Sequence, residues 1–378
     1  MSHPKISLII LFIVFLLPVG HCQSKGNIFL LVGGYTKPLK DQGIAVYEFN
    51  LQNGDLKFRS VTGDIENPSY LAISQDTKTV YAVSEKNEGQ GTVTAYNFDH
   101  KNGKLNFINQ ASSGGEGPCY VSSDDAGTHV FAANYGSGSL AAIRLNKDGS
   151  LDPATVQSIQ HAGSSINKES QSRPHVHSTV LSPDNKYLLS ADLGTDRVYM
   201  YRFDSGSTAA SLSPATNNYA TTKPGSGPRH ICFHPNGRVV YVVNEISGSV
   251  DAFGYKEGIL TFKQSITMLP DNFTGIIEAA DIHISPDGKF LYASNRDVRN
   301  EIVIYSVDEG GVLRIAGRQP VLGAVPRNFV IDPSGKFLLV ANQKTNEVIV
   351  FRRNAVNGLL KYTGKKIAVR SPACLKFL

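Results

Sequence analysis

The chain has 378 residues, room for two ordinary domains at about 150 each, although all-β architectures run longer as single units. Its formal net charge is +5, or +4 once Lys5 is set apart with the leader, and the charges are mixed without blocks of one sign. That balance excludes a basic nucleic-acid footprint and implies no polyanionic partner.

At the N-terminus, Lys5 precedes a run from Ile6 to Leu17 that is apolar except for Ser7. This is the pattern of a signal peptide. The run is too short for a bilayer core of about 30 Å, which takes roughly 20 apolar residues, and no later stretch is long enough either. Residues 1–22 are expected to be removed, since Gly20 and Cys22 are small enough for cleavage before Gln23. Residues 23–378 are then expected to form one exported domain, periplasmic or secreted and without a membrane span. Lipidation at Cys22 is disfavoured by His21, because a lipid-anchoring box wants a small residue immediately before the cysteine. Cys119, Cys232 and Cys374 remain, odd in number and isolated, and are expected to be buried small apolar residues and not zinc ligands.

From residue 67 onward one pattern recurs six times: a strand, a polar turn, a second strand, and a polar residue closing it. The copies are NPSYLAISQDTKTVYAVSE (67–85), GPCYVSSDDAGTHVFAANY (117–135), HVHSTVLSPDNKYLLSADL (175–193), GPRHICFHPNGRVVYVVNE (227–245), AADIHISPDGKFLYASNR (279–296) and VPRNFVIDPSGKFLLVANQ (325–343). Aligning the turns puts Ser74, Asp124, Ser182, His234, Ser285 and Asp332 in one column, with separations of 50, 58, 52, 51 and 47 residues. Periods of about 40 to 50 residues with short strands indicate propeller blades. S-P-D-G-K and its variants supply proline where a turn wants a fixed φ and glycine where it wants a positive one. His234, in the turn column, reads as structural.

After each copy comes a third strand with apolar alternation, such as GTVTAYNF (91–98), SLAAIRL (139–145), RVYMYRF (197–203), SVDAFGY (249–255), IVIYSV (302–307) and EVIVFRR (347–353). A fourth is expected after an N-G or D-G-type turn, at 103–107, 149–153 and 258–262. No segment of ten or more residues shows helical periodicity, so helices should be few. PACLKFL (372–378) matches an innermost strand and NIFLLVGGY (27–35) a second strand, with 44–49 and 55–60 as the outer two. The fold class is therefore all-β: a seven-bladed propeller of four-stranded antiparallel blades, closed by pairing the C-terminal strand with N-terminal strands. Closure of this kind leaves no open sheet edge at the junction. With no tryptophan and no W-D closure, a WD40 or kelch variant fits less well.

In a propeller the ends of the inner strands converge on one mouth of the central channel. The column closing the second strand reads Tyr35, Glu85, Tyr135, Leu193, Glu245, Arg296 and Gln343. The column inside the innermost strand reads Ser69, Cys119, His177, Arg229, Ala280, Arg327 and Ala373. Repetition alone predicts similar residues in every blade, yet these columns vary sharply. The candidate cluster joins His175, His177, Arg229, His230, Glu245, Asp281, His283, Arg296 and Arg327. Arginines grip a carboxylate or phosphate and stabilise a developing oxyanion, while His or Glu moves a proton near neutral pH. Plainer readings stand beside these: Arg229 with Glu245 as an interblade ion pair, one of His175 and His177 as a satisfied core histidine, and Asn134, Asp192, Asn244, Asn295 and Asn342 as strand-end hydrogen bonders.

At 173–198, 225–245, 280–296 and 326–343 the chain resembles the seven-bladed propeller lactonases, a family that includes the bacterial cycloisomerase-type 6-phosphogluconolactonases. It is similar to the fungal 3-carboxy-cis,cis-muconate lactonising enzymes. The resemblance covers essentially residues 27–378. It implies an active site at the channel mouth with no cofactor and no required metal, a small-molecule lactone as substrate, and catalytic residues at His177 (or His175), Arg229, Glu245 and Arg296. His175, His230, Asp281, His283 and Arg327 are the accompanying substrate-binding candidates. In the expected reaction Glu245 or His177 deprotonates a water that attacks the lactone carbonyl. A phosphorylated pentose-pathway lactone is a cytosolic metabolite, so the export signal points instead to gluconolactone or another aldonolactone made outside the cytoplasm. The alternative function is a non-catalytic propeller serving as a ligand-binding or protein-interaction module.

Overall fold

The computed structural model describes residues 26–36, 43–63, 65–86, 89–207, 210–296 and 298–378; the expected signal peptide and Cys22 lie outside them. Seven four-stranded antiparallel sheets form the chain, each running in sequence order from an innermost to an outermost strand. Blade 1 is the exception in sequence, because its innermost strand is Pro372–Phe377, followed outward by Asn27–Gly34, Ala45–Asn50 and Leu56–Val61. Leu30 pairs with Phe377 and Val32 with Leu375, so the two ends of the chain close the ring. The innermost strands of blades 2 to 7 are Leu71–Ile73, Pro118–Ser123, Val176–Leu181, Pro228–Phe233, Ala279–Ile284 and Pro326–Ile331. Each touches the innermost strand of the next blade around the ring, and Pro326–Ile331 touches Pro372–Phe377.

The repeated turn has one mechanism. Its column residue accepts the backbone N–H five residues on: Ser285 Oγ from Phe290 at 3.0 Å, Ser182 Oγ from Tyr187 at 3.0 Å, Ser74 Oγ from Thr79 at 2.9 Å, Asp332 Oδ1 from Phe337 at 2.6 Å. Three residues after the column the chain enters positive φ, at Gly127, Asn185, Gly237, Gly288 and Gly335, and in blade 2 at Thr77 (φ 59°). Asn and Gly tolerate that conformation, whereas a β-branched residue does not. His234 holds the same place structurally, its Nδ1 accepting from Asn236 N at 3.1 Å.

Blades pack through the flat faces of their middle strands. Second strands such as Phe290–Asn295 and Phe337–Asn342 are buried along their whole length, because both faces meet a neighbouring blade. Tyrosine hydroxyls cross from blade to blade to reach the turn before a fourth strand: Tyr81 to Gly149 O at 2.9 Å, Tyr241 to Gly311 O at 3.0 Å, Tyr292 to Gly358 O at 2.8 Å. Cys119 and Cys374 are buried and Cys232 is half-buried; all three are free.

The third strands fall where expected, but the fourth strand of blade 3 does not. Leu151 makes only an isolated bridge to Leu145, and Asp152 then caps a 3-10 turn at Pro153–Thr155, its carboxylate accepting from Ala154 N at 3.1 Å. Pro153 has no N–H to give a ladder, so pairing resumes only at Gln157–Gln160. That 3-10 turn is the one helix among the described residues.

Candidate active site

Successive side chains of a regular strand alternate between faces, and a β-bulge breaks that alternation and re-aims one residue. Every innermost strand of blades 3 to 7 carries such a bulge, as does the closing strand of blade 1. In blade 5, Pro228 pairs with Asn244 and His230 with Val243, which leaves Arg229 unpaired between them. The residue skipped in the same way is Cys119 in blade 3, His177 in blade 4, Arg327 in blade 7 and Ala373 in blade 1, and blade 6 skips both Ala280 and Asp281. The variable column read from the sequence is thus the column of bulged residues. Their side chains, with those closing the second strands, surround one mouth.

Glu245 is the centre of that mouth. Its Oε2 lies 2.7 Å from Arg229 Nε and its Oε1 3.1 Å from Arg296 Nη2. Arg229 and Glu245 belong to the same blade, so the interblade reading of that pair is corrected; Arg296, from blade 6, is the partner across the interface. Burial pushes the Glu245 carboxyl up, but Arg296, Arg229 and Arg327 outweigh it and hold it below the usual carboxylate range. Arg229 is 2% exposed and is further fixed by donating to Ala280 O at 2.5 Å. Burial lowers its guanidinium to about 10. Arg296 donates to Glu278 O at 3.1 Å and Ala279 O at 3.4 Å.

Beneath Arg229 the channel is filled. His230 Nε2 lies 3.2 Å from Arg229 Nη1, and its Nδ1 2.7 Å from Asp281 Oδ1. Asp281 Oδ2 meets His283 Nε2 at 2.9 Å, Asn328 Nδ2 at 2.5 Å and Phe329 N at 3.2 Å. With both oxygens engaged and 1% exposure, Asp281 ties blades 5, 6 and 7 together under the mouth. Burial and the Arg229 charge lower His230 to about 4 against the pull of Asp281, so its neutral ring orients Arg229. Tyr70 and Tyr120 stack at 4.0 Å and meet the His230 ring edge-on at 5.7 and 5.3 Å, forming a floor. His283 reaches the cluster only through Asp281.

His177 opens on the mouth, its ring 5.3 Å from that of His230 and its Nδ1 3.7 Å from Cys119 Sγ. Burial first, then Arg229, His230 and Arg327, holds it well below 6.5, so it is neutral at pH 7. His175 is turned aside: Nδ1 sits 2.9 Å from Tyr135 O and the ring stacks on Tyr135 at 4.4 Å. Tyr135 also faces His177 edge-on at 5.4 Å. Asn134, Asp192, Asn244 and Asn342 make strand-end hydrogen bonds, whereas both amide atoms of Asn295 are buried without a partner.

The sequence-based cluster stopped at residues 175–343 and missed a second group. Glu85 of blade 2 accepts from Tyr35 OH at 3.1 and 3.0 Å and from Ser69 Oγ in a short hydrogen bond. Arg327 lies over the Tyr35 ring at 5.3 Å from its centroid. Burial opposes the Arg327 charge, but Tyr35, Glu85 and Glu245 raise its affinity for the proton. The signal was present, because Tyr35 and Glu85 occupy the same column as Glu245 and Arg296. Ring closure sets blade 1 between blade 7 and blade 2, so that Tyr35 lies against Arg327 on one side and Glu85 on the other, which distance along the chain conceals.

Comparison with known proteins places the chain in a family. Residues 29–377 match the family described as Lactonase, 7-bladed beta-propeller. The chain belongs to that family. It is 34% identical over 350 residues to the 6-phosphogluconolactonase of Bacillus subtilis, covering 92% of this chain and 97% of that one. A 6-phosphogluconolactonase of Formosa agariphila is 36% identical over 309 residues, 80% of this lactonase-family chain and 86% of the relative. The solved structure of the Pseudomonas aeruginosa periplasmic gluconolactonase superposes with a TM-score of 0.88 at 36% identity, covering 93% of this chain and 99% of that one.

Proposed function

We propose that this protein is an exported lactonase that opens a sugar-acid lactone to its acid at the mouth built by Glu245, Arg229, Arg296, His177 and Arg327. The observation that carries the reading is Glu245, held ionised between two guanidiniums from adjacent blades, with the neutral His177 ring 5.3 Å from the His230 ring that orients Arg229. A structural ion pair alone calls for no such histidine and no third, unpaired arginine.

In the proposed reaction His177 is the base. Both Glu245 oxygens already face guanidiniums, while His177 Nε2 has no hydrogen-bond partner among the described residues. Water attacks the lactone carbonyl carbon and its proton passes to His177. The carbonyl oxygen takes the negative charge beside the arginines, where fixed cations stabilise it without reorganisation. Collapse breaks the ring C–O bond, and the ring oxygen leaves with the proton from His177. The product acid ionises and releases one proton to the buffer. Glu245 keeps Arg229 and Arg296 in place throughout, and Asp281 with His230 does the same for Arg229 from below.

Export rests on the N-terminal pattern and on the likeness to a periplasmic enzyme; among the described residues no helix is long and apolar enough to cross a membrane. Mass analysis of the exported protein should find a chain starting at Gln23 and spanning one propeller domain. For activity, proton release by residues 23–378 is measured on glucono-δ-lactone and 6-phosphoglucono-δ-lactone. Turnover above buffer that collapses in Glu245→Gln, Arg229→Ala and His177→Asn is expected; equal rates in the native protein and buffer on both would sink the reading. Nothing observed favours the non-catalytic alternative.

A further inference from the structure

The mechanism gives no role to Tyr35, Ser69 or Glu85, and leaves open what Arg327 contacts beyond the reacting carbonyl. Glu85 is a half-buried carboxylate whose side-chain partners among the described residues are two neutral hydroxyls, Tyr35 OH and Ser69 Oγ; no cation among the described residues stands within ion-pair distance of it. If it served only to stitch blade 1 to blade 2, a glutamine would accept the same bonds without the desolvation penalty of a buried charge. Oε2 accepts from both hydroxyls but Oε1 from Tyr35 alone, so Oε1 retains an acceptor position. Arg327 complements it. Among the described residues it makes no hydrogen bond and no ion pair, and its guanidinium lies over the Tyr35 ring. Arg229 and Arg296, by contrast, are committed to Glu245 and to backbone carbonyls.

Position gives this group its meaning. In ring order blade 2 stands three blades from blade 5 in one direction and four in the other, so Glu85 faces Glu245 across the mouth. A lactone with its carbonyl among Glu245, Arg229 and His177 extends its hydroxyl-bearing far end toward Glu85. We propose that Glu85, Tyr35, Ser69 and Arg327 form a specificity subsite that accepts the hydroxyl groups of an uncharged polyhydroxylated lactone and disfavours a lactone carrying a phosphate at that end. Glu85 takes a hydroxyl hydrogen bond, and Arg327 balances its charge and donates to a neighbouring oxygen. A phosphate dianion in the same place would meet a carboxylate, and like charges brought together in a partly desolvated site reject the ligand. The subsite rests on the lactonase reading above and names the substrate class within it.

The test is the ratio of kcat/KM on glucono-δ-lactone to that on 6-phosphoglucono-δ-lactone. The native protein is expected to prefer the unphosphorylated lactone by tenfold or more. Glu85→Gln is expected to shrink that ratio at least tenfold. Should Glu85→Gln fail to fold, Tyr35→Phe and Ser69→Ala, each removing one hydroxyl from Glu85, should shift the ratio in the same direction by a smaller factor. A native preference for the phosphorylated lactone, or a ratio that none of these variants moves, overturns the subsite and leaves the lactonase standing. No turnover of either lactone by the native protein removes the lactonase reading itself.

Discussion

Each innermost strand has two ends that obey opposite rules. At one end, in blades 2 to 7, the chain leaves through a turn whose fourth residue takes positive φ and whose column residue, His234 excepted, caps the backbone five residues on. At the other end, in every blade but blade 2, a bulge re-aims a residue whose identity changes with the blade: cysteine, histidine or arginine in blades 3, 4, 5 and 7, and Ala280, Asp281 or Ala373 in blades 6 and 1. The first end repeats because six copies of one packing problem have one solution. The second varies because its side chains meet at a single place, where seven identical residues could not divide a reaction among themselves. Repetition marks structure here, and departure from it marks chemistry.

Substitutions at the two ends should therefore separate rate from stability. The largest effect is expected from Glu245→Gln, which leaves Arg229 and Arg296 without their shared anion and should lower kcat by about 100- to 1000-fold, the scale of losing one preorganised electrostatic group. Proton-release kinetics corrected for the buffer rate would show it, and a loss under threefold would contradict the assignment.

A pH effect comes next. The folded protein keeps His230 neutral down to about 4, whereas in the unfolded chain it protonates near 6.5. The unfolded state therefore binds more protons between those values, and stability should fall as pH drops from 6.5 toward 4. Denaturant midpoints at pH 7 and pH 5 test this, with His230→Gln expected to flatten the difference.

Smaller effects belong to the turn end. Asp332→Ala removes the acceptor for Phe337 N and Ser334 N and should cost about 2 kcal/mol of stability while leaving kcat unchanged. Thr77→Gly should add about 1 kcal/mol, because it relieves the one β-branched residue at the positive-φ position of the repeat. Thermal unfolding checks both, and a change in kcat with either would blur the division between the two ends.

Much of this was legible in the residues alone. The turn column, the third strands, the split blade and the two variable columns follow from local chemistry repeated at a readable period. The fourth strand of blade 3 was misplaced because Asp152 and Pro153 build a local turn that competes with the ladder. His175 and His177 could not be told apart, since alternation places both on one face until the bulge re-aims His177 and leaves His175 against Tyr135.

The sequence by itself determined the fold, the place where the ring closes, and the positions from which a site could be built, because turns and strand periodicity are set by neighbours along the chain. Only the tertiary structure decided which of those positions touch. Glu245 meets Arg229 within one blade and Arg296 from the next, Asp281 lies under the mouth as a tie, and Glu85 of blade 2 accepts from Tyr35 of blade 1. Those contacts depend on bulges and on closure of the circle, which bring together residues that no local pattern links.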